Sequence, residues 1–360
     1  MLNQSMLLEF HRSHGGVFAE CEGWLLPQHF GDSGAEYETV RAHVGLVELP
    51  QRGFIALTGP DRSSYLQGLF SNDIKLLGPG RGLYGTFLSQ QGKVLSDARI
   101  WCLEDSFLID LWRPYCETIL SHLNRYLVAD DVEIADLSGN YGLISLQGAE
   151  SESMAAALIA PSSLPKAPLE HVRASVRNIS LQVIRSSHTG MDGFDFIVPT
   201  ERILPFAELV TDAGKAYSAR WIGSQTLETL RIEAGIPRYG IDITADTLLL
   251  ETGMDHAFSF TKGCYLGQEV VERIRSRGHV NKKLMGLVLE DSQTPERGAL
   301  VTLADQRVGH ITSATESPRF RRPIALAYIH RESWTPGTRV VVESGKNRFV
   351  ASVAALPFAP

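Results

Sequence analysis

The feature that most restricts the fold of this chain is a unit of strand, glycine turn and helix that occurs twice. Residues 54–69 read FIALTGPDRSSYLQGL and residues 143–158 read LISLQGAESESMAAAL, and the turn glycines Gly59 and Gly148 lie 89 residues apart. Further strand-like segments follow each unit, which predicts two similar α+β halves. Because such units are also common in unrelated α+β proteins, an unduplicated α+β fold stays open at this point.

Composition narrows the class of protein. The chain has 360 residues, of which 44% are hydrophobic, and a formal net charge of −7. It is too apolar for a disordered protein and too acidic for one that coats nucleic acid regardless of sequence. Its four cysteines form no C-x-x-C pair, so we expect reduced thiols rather than a zinc site or a disulfide framework. Without a signal-peptide pattern or an apolar run of about 18 residues, we expect a cytoplasmic protein with no membrane contact.

The segments between the two units predict a hairpin, a strand and a helix. Residues 82–101 contain two strand-like runs around a turn at Gln90 to Lys93. Residues 107–112 predict another strand, and the apolar spacing of residues 115–128 predicts a helix.

A further helix is predicted within residues 223–240. Ser224 can cap its start, Gly235 suits a left-handed end, and Pro237 prevents continuation. From about residue 284 the chain changes to six short strand-like runs, which predict a small antiparallel C-terminal barrel. We therefore predict two domains: an α+β region at 1–282, subdivided near residues 50 and 140, and a barrel at 283–360.

The segment FTKGCYLGQEVVERIRSRGHVNKK, residues 260–283, concentrates reactive and charged side chains. Cys264 lies just before Gly267, Gln268 and Glu269, after which the apolar spacing predicts a short helix that runs to about Ser276. Backbone N–H groups at the first turn of that helix and the charge of Lys262 would favour a thiolate. Cys264 is therefore a candidate reactive thiol. A small buried residue that packs a turn is the alternative for Cys264.

Positive charge follows in the same segment. Five cations lie within eleven residues, and they are Arg273, Arg275, Arg277, Lys282 and Lys283. Such a cluster suits the carboxylates of a folate tail or a phosphate backbone, although a solvated helix face is the alternative. Arg273, nearest to the Gly-Cys turn, is the member that we expect to bind a ligand.

Two acids and a tyrosine have the chemistry to hold a heterocycle. Asp97 follows the predicted hairpin turn, Tyr84 lies at the other end of that hairpin, and Asp195 lies in HTGMDGFDF. A carboxylate in a pocket can accept paired N–H donors such as those of a pterin ring. A solvated or turn-capping aspartate is the alternative for each acid. The 11 histidines lack the close spacing of a metal site, and no metal is expected.

These residues resemble a known family. KGCYLGQE followed by Arg273 is similar to the signature K-G-C-[FY]-x-G-Q-E-x-x-x-R of YgfZ-type folate-binding proteins, and its matching positions are Lys262, Gly263, Cys264, Tyr265, Gly267, Gln268, Glu269 and Arg273. Nearly the whole chain also resembles the glycine cleavage T-protein (aminomethyltransferase) superfamily, through segments such as VRAHVGLVELPQRGFIALTGPD and LRIEAGIPRYGIDIT.

The resemblance implies a tetrahydrofolate pocket, with tetrahydrofolate or a one-carbon derivative as the ligand. It implies that Asp97 is the catalytic aspartate, with Ser96 in place of the adjacent first acid. Tyr84 matches a pocket tyrosine, and Asp195 replaces a glutamate that holds the pterin. Cys264 is expected to take part in the chemistry at a hollow shared with Asp97.

Lys262 and Arg273 are expected to bind the folate as well. Two positions depart from the T-protein pattern: Leu227 stands where it has an arginine, and Met191 where it has a glutamate. Loss of such an arginine removes a charge-assisted contact worth about 1.5–3 kcal/mol.

Three functions follow as hypotheses. The first is a YgfZ-like, tetrahydrofolate-binding protein that supports the maturation or repair of iron–sulfur enzymes, including those that modify tRNA. The second is an aminomethyltransferase that moves an aminomethyl group from a lipoyl carrier to tetrahydrofolate. The third is a non-catalytic module that docks RNA or an acidic partner through residues 273–283. The expected partners are folate, iron–sulfur proteins in the case of the first function, and RNA in the case of the third.

Overall fold

The structure is a computed structural model that describes residues 2–358, apart from the side chain of Arg277. Its α-helices are α1 (Leu8–Ser13), α2 (Ser33–Ala42), α3 (Arg62–Gln67), α4 (Cys116–Tyr126), α5 (Ser151–Leu158), α6 (Ile203–Gly214), α7 (Ser224–Glu233) and α8 (Gln268–Arg277). Within the described residues, none of the helices is both long and apolar enough to cross a membrane.

The strands of the α+β part are β1 (Asn3–Gln4), β2 (Val17–Cys21), β3 (Trp24–His29), β4 (Gly45–Glu48), β5 (Arg52–Thr58), β6 (Arg81–Leu88), β7 (Val94–Cys102), β8 (Phe107–Trp112), β9 (Glu133–Asp136), β10 (Tyr141–Gln147), β11 (His171–Val176), β12 (Ile179–Arg185), β13 (Gly193–Pro199) and β14 (Arg220–Trp221). The strands of the C-terminal part are β15 (Lys282–Leu289), β16 (Leu300–Leu303), β17 (Gln306–Ser317), β18 (Arg322–His330), β19 (Arg339–Ser344) and β20 (Asn347–Ala354).

The chain divides into two compact units. The first unit comprises the segment that ends at Leu66, Ile74–Tyr84 and Ala98–Leu227. The second unit comprises Gln67–Asp73, Gly85–Asp97 and the segment from Glu228 onward. The tip of the β6–β7 hairpin thus groups with the barrel part of the chain. The predicted domains at 1–282 and 283–360 stay a prediction.

The two predicted α+β halves are present, and the first unit contains all of their strands except the parts of β6 and β7 that lie within 85–97. One half is a five-stranded sheet in the order β6-β7-β8-β5-β9, and the other is a six-stranded sheet in the order β11-β12-β13-β10-β4-β14. Helices α5 and α6 pack on β10 and β13 of the six-stranded sheet. Their apolar side chains share a core with those strands, including the fully buried Phe194, Phe196 and Phe206. The α+β prediction is therefore confirmed.

The repeated unit is present in both halves, and its glycines are required by geometry. Gly59 follows β5 with φ +97°, and Gly148 follows β10 with φ +131°. A Cβ at Gly59 would clash with the carbonyl oxygen of Asp131, and one at Gly148 would lie 2.5 Å from the carbonyl oxygen of His43. Only glycine combines this backbone conformation with such a close approach.

The second unit contains a closed barrel in the strand order β15-β18-β17-β16-β19-β20. Its neighbouring strands are antiparallel, and its interior is filled by aliphatic side chains such as Leu287, Ile329 and Val342, all fully buried. Ile232 of α7 packs with Leu284 and Leu326 of the barrel strands. The predicted C-terminal antiparallel barrel is confirmed.

One local prediction needs correction, and one small sheet was not predicted. Ser224 was predicted to cap α7 but is its first helical residue. The acceptor at the start of the helix is Glu36 of α2, whose carboxylate accepts the Gly223 N–H at 2.8 Å and the Thr226 hydroxyl at 2.7 Å. The helix ends as expected, with Gly235 at φ +67°. The sequence also gave no indication of the small sheet β1-β3-β2 near the N-terminus, because β1 has two residues and β3 contains Pro27.

Replacement of Gly148 tests the constraint on the repeated turn. We expect Gly148→Ala to lower the free energy of unfolding by about 2–4 kcal/mol, because the new Cβ meets a carbonyl oxygen in a left-handed backbone conformation. Urea denaturation measures the change. Gly139→Ala is the matched control, since a Cβ there meets no atom of the described residues within 4 Å. Equal stability of the two variants would contradict the proposed constraint.

Candidate functional site

The lysine of the K-G-C segment is a buried anchor for the backbone. Lys262 Nζ donates to the carbonyl oxygens of Gln67 at 2.8 Å, Phe70 at 2.6 Å and Asn72 at 2.9 Å. Its side chain is buried, and the ammonium lies 4.8 Å from the ring centroid of Tyr265. An ammonium group has three N–H donors, and all three are used. The expected contact of Lys262 with folate stays a prediction, and such a contact would have to replace one of these hydrogen bonds.

Burial also shifts the pKa values of Lys262 and Tyr265. Desolvation lowers the pKa of Lys262 from 10.5 to about 8, against the opposing charge of Asp73. Desolvation, together with the charge of Glu272, raises the pKa of Tyr265 to about 12. At neutral pH the lysine is mainly protonated and the tyrosine is neutral, so the three hydrogen bonds to carbonyls and the contact with the ring persist.

The glycine and glutamine of the same segment fix it against the hairpin tip. Gly267 has φ +82°, and a Cβ there would lie 2.5 Å from the carbonyl oxygen of Ser89. A Cβ at Gly92 in the hairpin turn would lie 2.8 Å from Cβ of Val270 in α8. The Gln268 side chain accepts the Tyr265 N–H at 3.3 Å. Much of the signature is thus scaffolding that holds the 85–97 hairpin tip.

The remaining signature residues face outward. Gly263, Cys264, Glu269 and Arg273 are exposed. The predicted short helix is present as α8 and begins at Gln268, so Cys264 precedes it by four residues. An exposed thiol is accessible to a partner or reagent, which excludes the alternative of a buried packing residue.

Two members of the predicted basic cluster lie beside acids. Arg275 lies 3.6 Å from Glu272 and 3.9 Å from the ring centroid of Phe260. Lys282 belongs to β15, 3.8 Å from Glu251. The side chain of Arg277 lies outside the described part. An acid thus lies beside two of the five cations, and RNA docking through this segment stays a prediction.

Asp97 lies on β7, three residues after the start of the strand at Val94. Its side chain is buried, and the neighbouring Ser96 hydroxyl donates to the Asp97 carbonyl oxygen at 2.8 Å. Asp97 groups with Cys264 in the second unit, whereas Tyr84 and Asp195 belong to the first. Asp97 is buried and Cys264 is exposed, so their expected meeting at one hollow stays a prediction.

Asp195 forms a buried ion pair that the sequence analysis missed. It lies on β13, fully buried, and both of its carboxylate oxygens contact His188 Nε2, at 3.0 and 2.9 Å. Burial opposes ionisation, but the charge and hydrogen bond of His188, with the charge of Arg99 and the Ser145 hydroxyl, hold the pKa of Asp195 below its usual value. Asp195 is thus an ionised acceptor rather than the isolated acid that was expected.

A glutamine holds the loop that carries His188. Gln147 Nε2 donates to Ser145 Oγ at 2.8 Å and to the Ser186 carbonyl at 2.9 Å. Gln147 Oε1 accepts the backbone N–H of His188 at 2.9 Å and the Thr189 hydroxyl at 3.2 Å. The HTGMDGFDF segment already contained both members of the ion pair. A search for His–Asp pairs on either side of a glycine turn would have found them.

A second buried charge cluster supports the same unit. Asp110 on β8 is fully buried and binds Arg52 at 2.6 Å, and Arg99 lies 3.8 Å away on the paired strand β7. Arg99 also acts on Asp195, so one guanidinium electrostatically links the two carboxylates. Tyr84, on β6 of this unit, is half-buried.

Replacement of Asp195 tests the buried ion pair. We expect Asp195→Asn to lower the free energy of unfolding by about 3 kcal/mol at pH 7, since it leaves His188 without its anion. The folded-state pKa of Asp195 lies below the unfolded value, so its stabilisation exists above about pH 4 and is lost as pH falls further. The difference between wild type and variant in urea unfolding should therefore shrink below about pH 4.

The matched control is Asp246→Asn, which alters an exposed carboxylate 2.8 Å from Lys93. It should change stability little at any pH. A gap for Asp195→Asn that stays constant down to pH 3 would contradict the ion-pair assignment.

Two known domain families match this chain, one after the other. The GCVT N-terminal domain family matches residues 7–262, and the family described as the glycine cleavage T-protein C-terminal barrel domain matches residues 282–359. A protein named aminomethyltransferase from Rubrobacter xylanophilus is 32% identical, over 99% of this chain and 94% of its own. One of the same name from Halalkalibacterium halodurans is 27% identical, over 99% and 98%.

Solved structures give the same result. The crystal structure of glycine cleavage system aminomethyltransferase T from Bartonella henselae has a TM-score of 0.90 and 25% identity, with coverage of 100% of this chain and 98% of that one. These similar proteins carry the aminomethyltransferase name, which supports the superfamily of the resemblance but not its YgfZ-type branch. With both of its domain families matched in order along the chain, this protein belongs to the glycine cleavage T-protein family.

Proposed function

We propose that this protein transfers an aminomethyl group from a lipoyl carrier to tetrahydrofolate. The observation that carries the proposal is the buried carboxylate of Asp97 on β7, at the position of the catalytic aspartate in the T-protein pattern. Support comes from relatives named aminomethyltransferase that align with this chain over nearly its full length.

In the proposed reaction the methylene carbon leaves the carrier sulfur and its own nitrogen and bonds to two nitrogens of tetrahydrofolate. The products are methylene-tetrahydrofolate, ammonia and the carrier thiol, which balances the atoms and requires no oxidant. Asp97 would orient the reacting nitrogen and hold or pass a proton there, a task for which a buried carboxylate near its target is suited.

The buried pair in the first unit suits the pterin end of the substrate. An ionised carboxylate has about four lone-pair sites, and His188 with Ser145 uses at most three of those of Asp195. A heterocycle would reach this remaining capacity only after the side chains that cover Asp195 move, since Asp195 is fully buried. The nearby His188 favours the charged carboxylate. Tyr84 offers an aromatic face and a hydroxyl on the same unit.

Three residues that differ from the T-protein pattern indicate weaker binding of the aminomethyl carrier. Ser96 is fully buried where the pattern has an acid, Met191 is half-buried where it has a glutamate, and half-buried Leu227 replaces an arginine. Each change removes a charge, so a carrier bound through those charges would bind more weakly. We therefore propose the same transfer with weaker affinity for the standard carrier.

Replacement of Asp97 tests the proposed transfer. We expect Asp97→Asn to lower kcat/KM for methylene-tetrahydrofolate formation about 100-fold, since the carboxylate can no longer take a proton. The assay uses an aminomethylated lipoyl carrier protein and tetrahydrofolate. Asp246→Asn serves as a control and should match wild type. Wild-type protein without turnover in this assay would remove the proposal.

A second candidate is favoured by one observation, the exposed Cys264 within a segment whose other parts anchor the hairpin tip. We propose, as that alternative, a tetrahydrofolate-binding protein that supports iron–sulfur enzymes, including those that modify tRNA. An accessible thiol suits contact with a metal cluster or a partner thiol.

Replacement of Cys264 separates the two candidates. If the alternative is right, the wild-type protein should restore iron–sulfur enzyme activity in a deletion strain, and Cys264→Ala should fail to restore it. Cys102→Ala, which alters a buried cysteine, is the control and should restore activity. Full restoration by Cys264→Ala would rule out a role of this thiol.

A further inference from the structure

One arginine of the first unit has a guanidinium group that makes no hydrogen bond within the described residues. Arg99 lies on β7, and its side chain is 16% exposed. Its ion pair is with Asp110, whose Oδ2 lies 3.8 Å from Arg99 Nη1, beyond hydrogen-bond distance. Because the buried polar atoms without a partner do not include the Arg99 nitrogens, these nitrogens reach solvent. A guanidinium has five N–H donors, which are here recessed but accessible to a ligand.

Two other arginines of this unit that are also largely buried use their donors within the fold. Arg52 is 6% exposed and binds Asp110 Oδ1 through Nε and Nη2, both at 2.6 Å. Arg185 is 19% exposed and donates to the carboxylates of Asp192 and Glu152. An arginine that serves stability alone is expected to bind in this way, because a charged donor without an acceptor costs free energy. Arg99 differs from both in having donors for another molecule.

The charges around Arg99 favour a neutral acceptor over an anion. The Asp110 carboxylate lies beside Arg99, and the charge of Arg99 also acts on the ionised Asp195. Both aspartates are fully buried, so water and salt screen their charges weakly. An incoming carboxylate or phosphate would be repelled by both of them. A carbonyl oxygen can accept from the guanidinium without that repulsion.

The pterin ring of tetrahydrofolate offers such an acceptor. One edge of the pterin carries a carbonyl oxygen next to a ring N–H, as guanine does, and arginine commonly donates to the guanine carbonyl. We propose that Arg99 sets the specificity for folate by donating to the ring carbonyl oxygen of the pterin. This role rests on the proposed function, in which tetrahydrofolate is the substrate and its pterin end binds at the first unit.

Calorimetric titration of the full chain under anaerobic conditions tests this role with two ligands. One is tetrahydrofolate, and the other is its 4-amino analogue, in which an amino group replaces the ring carbonyl. We expect Arg99→Met to weaken tetrahydrofolate binding about 10–100-fold through loss of a charged donor. The same variant should bind the analogue as tightly as wild type or more tightly, because the amino group gives the guanidinium no good acceptor.

Two further variants control for indirect effects. Arg99→Gln keeps a polar side chain in case Arg99→Met folds poorly, and it should show the same selective loss, because an amide can present either a donor or an acceptor. Arg173→Met removes an exposed arginine of the same unit, whose Nε donates to Ser180 at 3.2 Å. Arg173→Met should leave the affinity for both ligands unchanged.

Equal weakening of both ligands in the Arg99 variants would overturn the proposal, because Arg99 would then only balance charge. Unchanged tetrahydrofolate affinity in these variants, or no tetrahydrofolate binding by wild type, would overturn it as well. The transfer assay separates this role from the proposed function. Turnover without a selective loss removes the role of Arg99 alone, whereas a selective loss without turnover removes the transfer alone.

Discussion

The second unit depends on one buried ammonium group. Lys262 gathers three carbonyl oxygens of the 67–73 turn, which lie 190 to 195 residues earlier in the chain. Ser71 of that turn in turn donates to the Ala257 carbonyl and accepts the Thr86 N–H. A buried charge is tolerated because each of its donors is used, and the hydrogen bonds are stronger away from water. Through this anchor the turn, the hairpin tip and the signature segment form one body.

This arrangement gives the buried residues of the K-G-C signature a structural role. Its buried members, Lys262 and Tyr265, together with Gly267, hold backbone in place, and only the outward members remain for contacts with other molecules. A motif can therefore be specific without every member touching a ligand. The similarity to aminomethyltransferases concerns the whole fold, whereas the signature concerns how firmly the hairpin that carries Asp97 is supported.

Local patterns in the sequence predicted the repeated units, the hairpin, α8 and the barrel, because each depends on glycine turns and on apolar spacing within a few residues. The role of Lys262 could not be predicted, since its acceptors are distant carbonyls that leave no pattern in the side chains. His188 was missed for a related reason: its importance depends on Gln147, 41 residues earlier, which holds the loop in place. Asp97 and Asp195 were singled out as candidate binding acids, which stays a prediction, whereas their burial and their surroundings required the fold.

The close approach of the hairpin turn to α8 has an evolutionary consequence. Gly92 and Gly267 lie so near each other that Cα of one is 3.3 Å from a Cβ built on the other. A side chain at either position would separate the two backbones. The other position would then no longer require glycine. We expect the two residues to covary among relatives, with paired retention in chains that keep the short turn and joint replacement in chains that lengthen it.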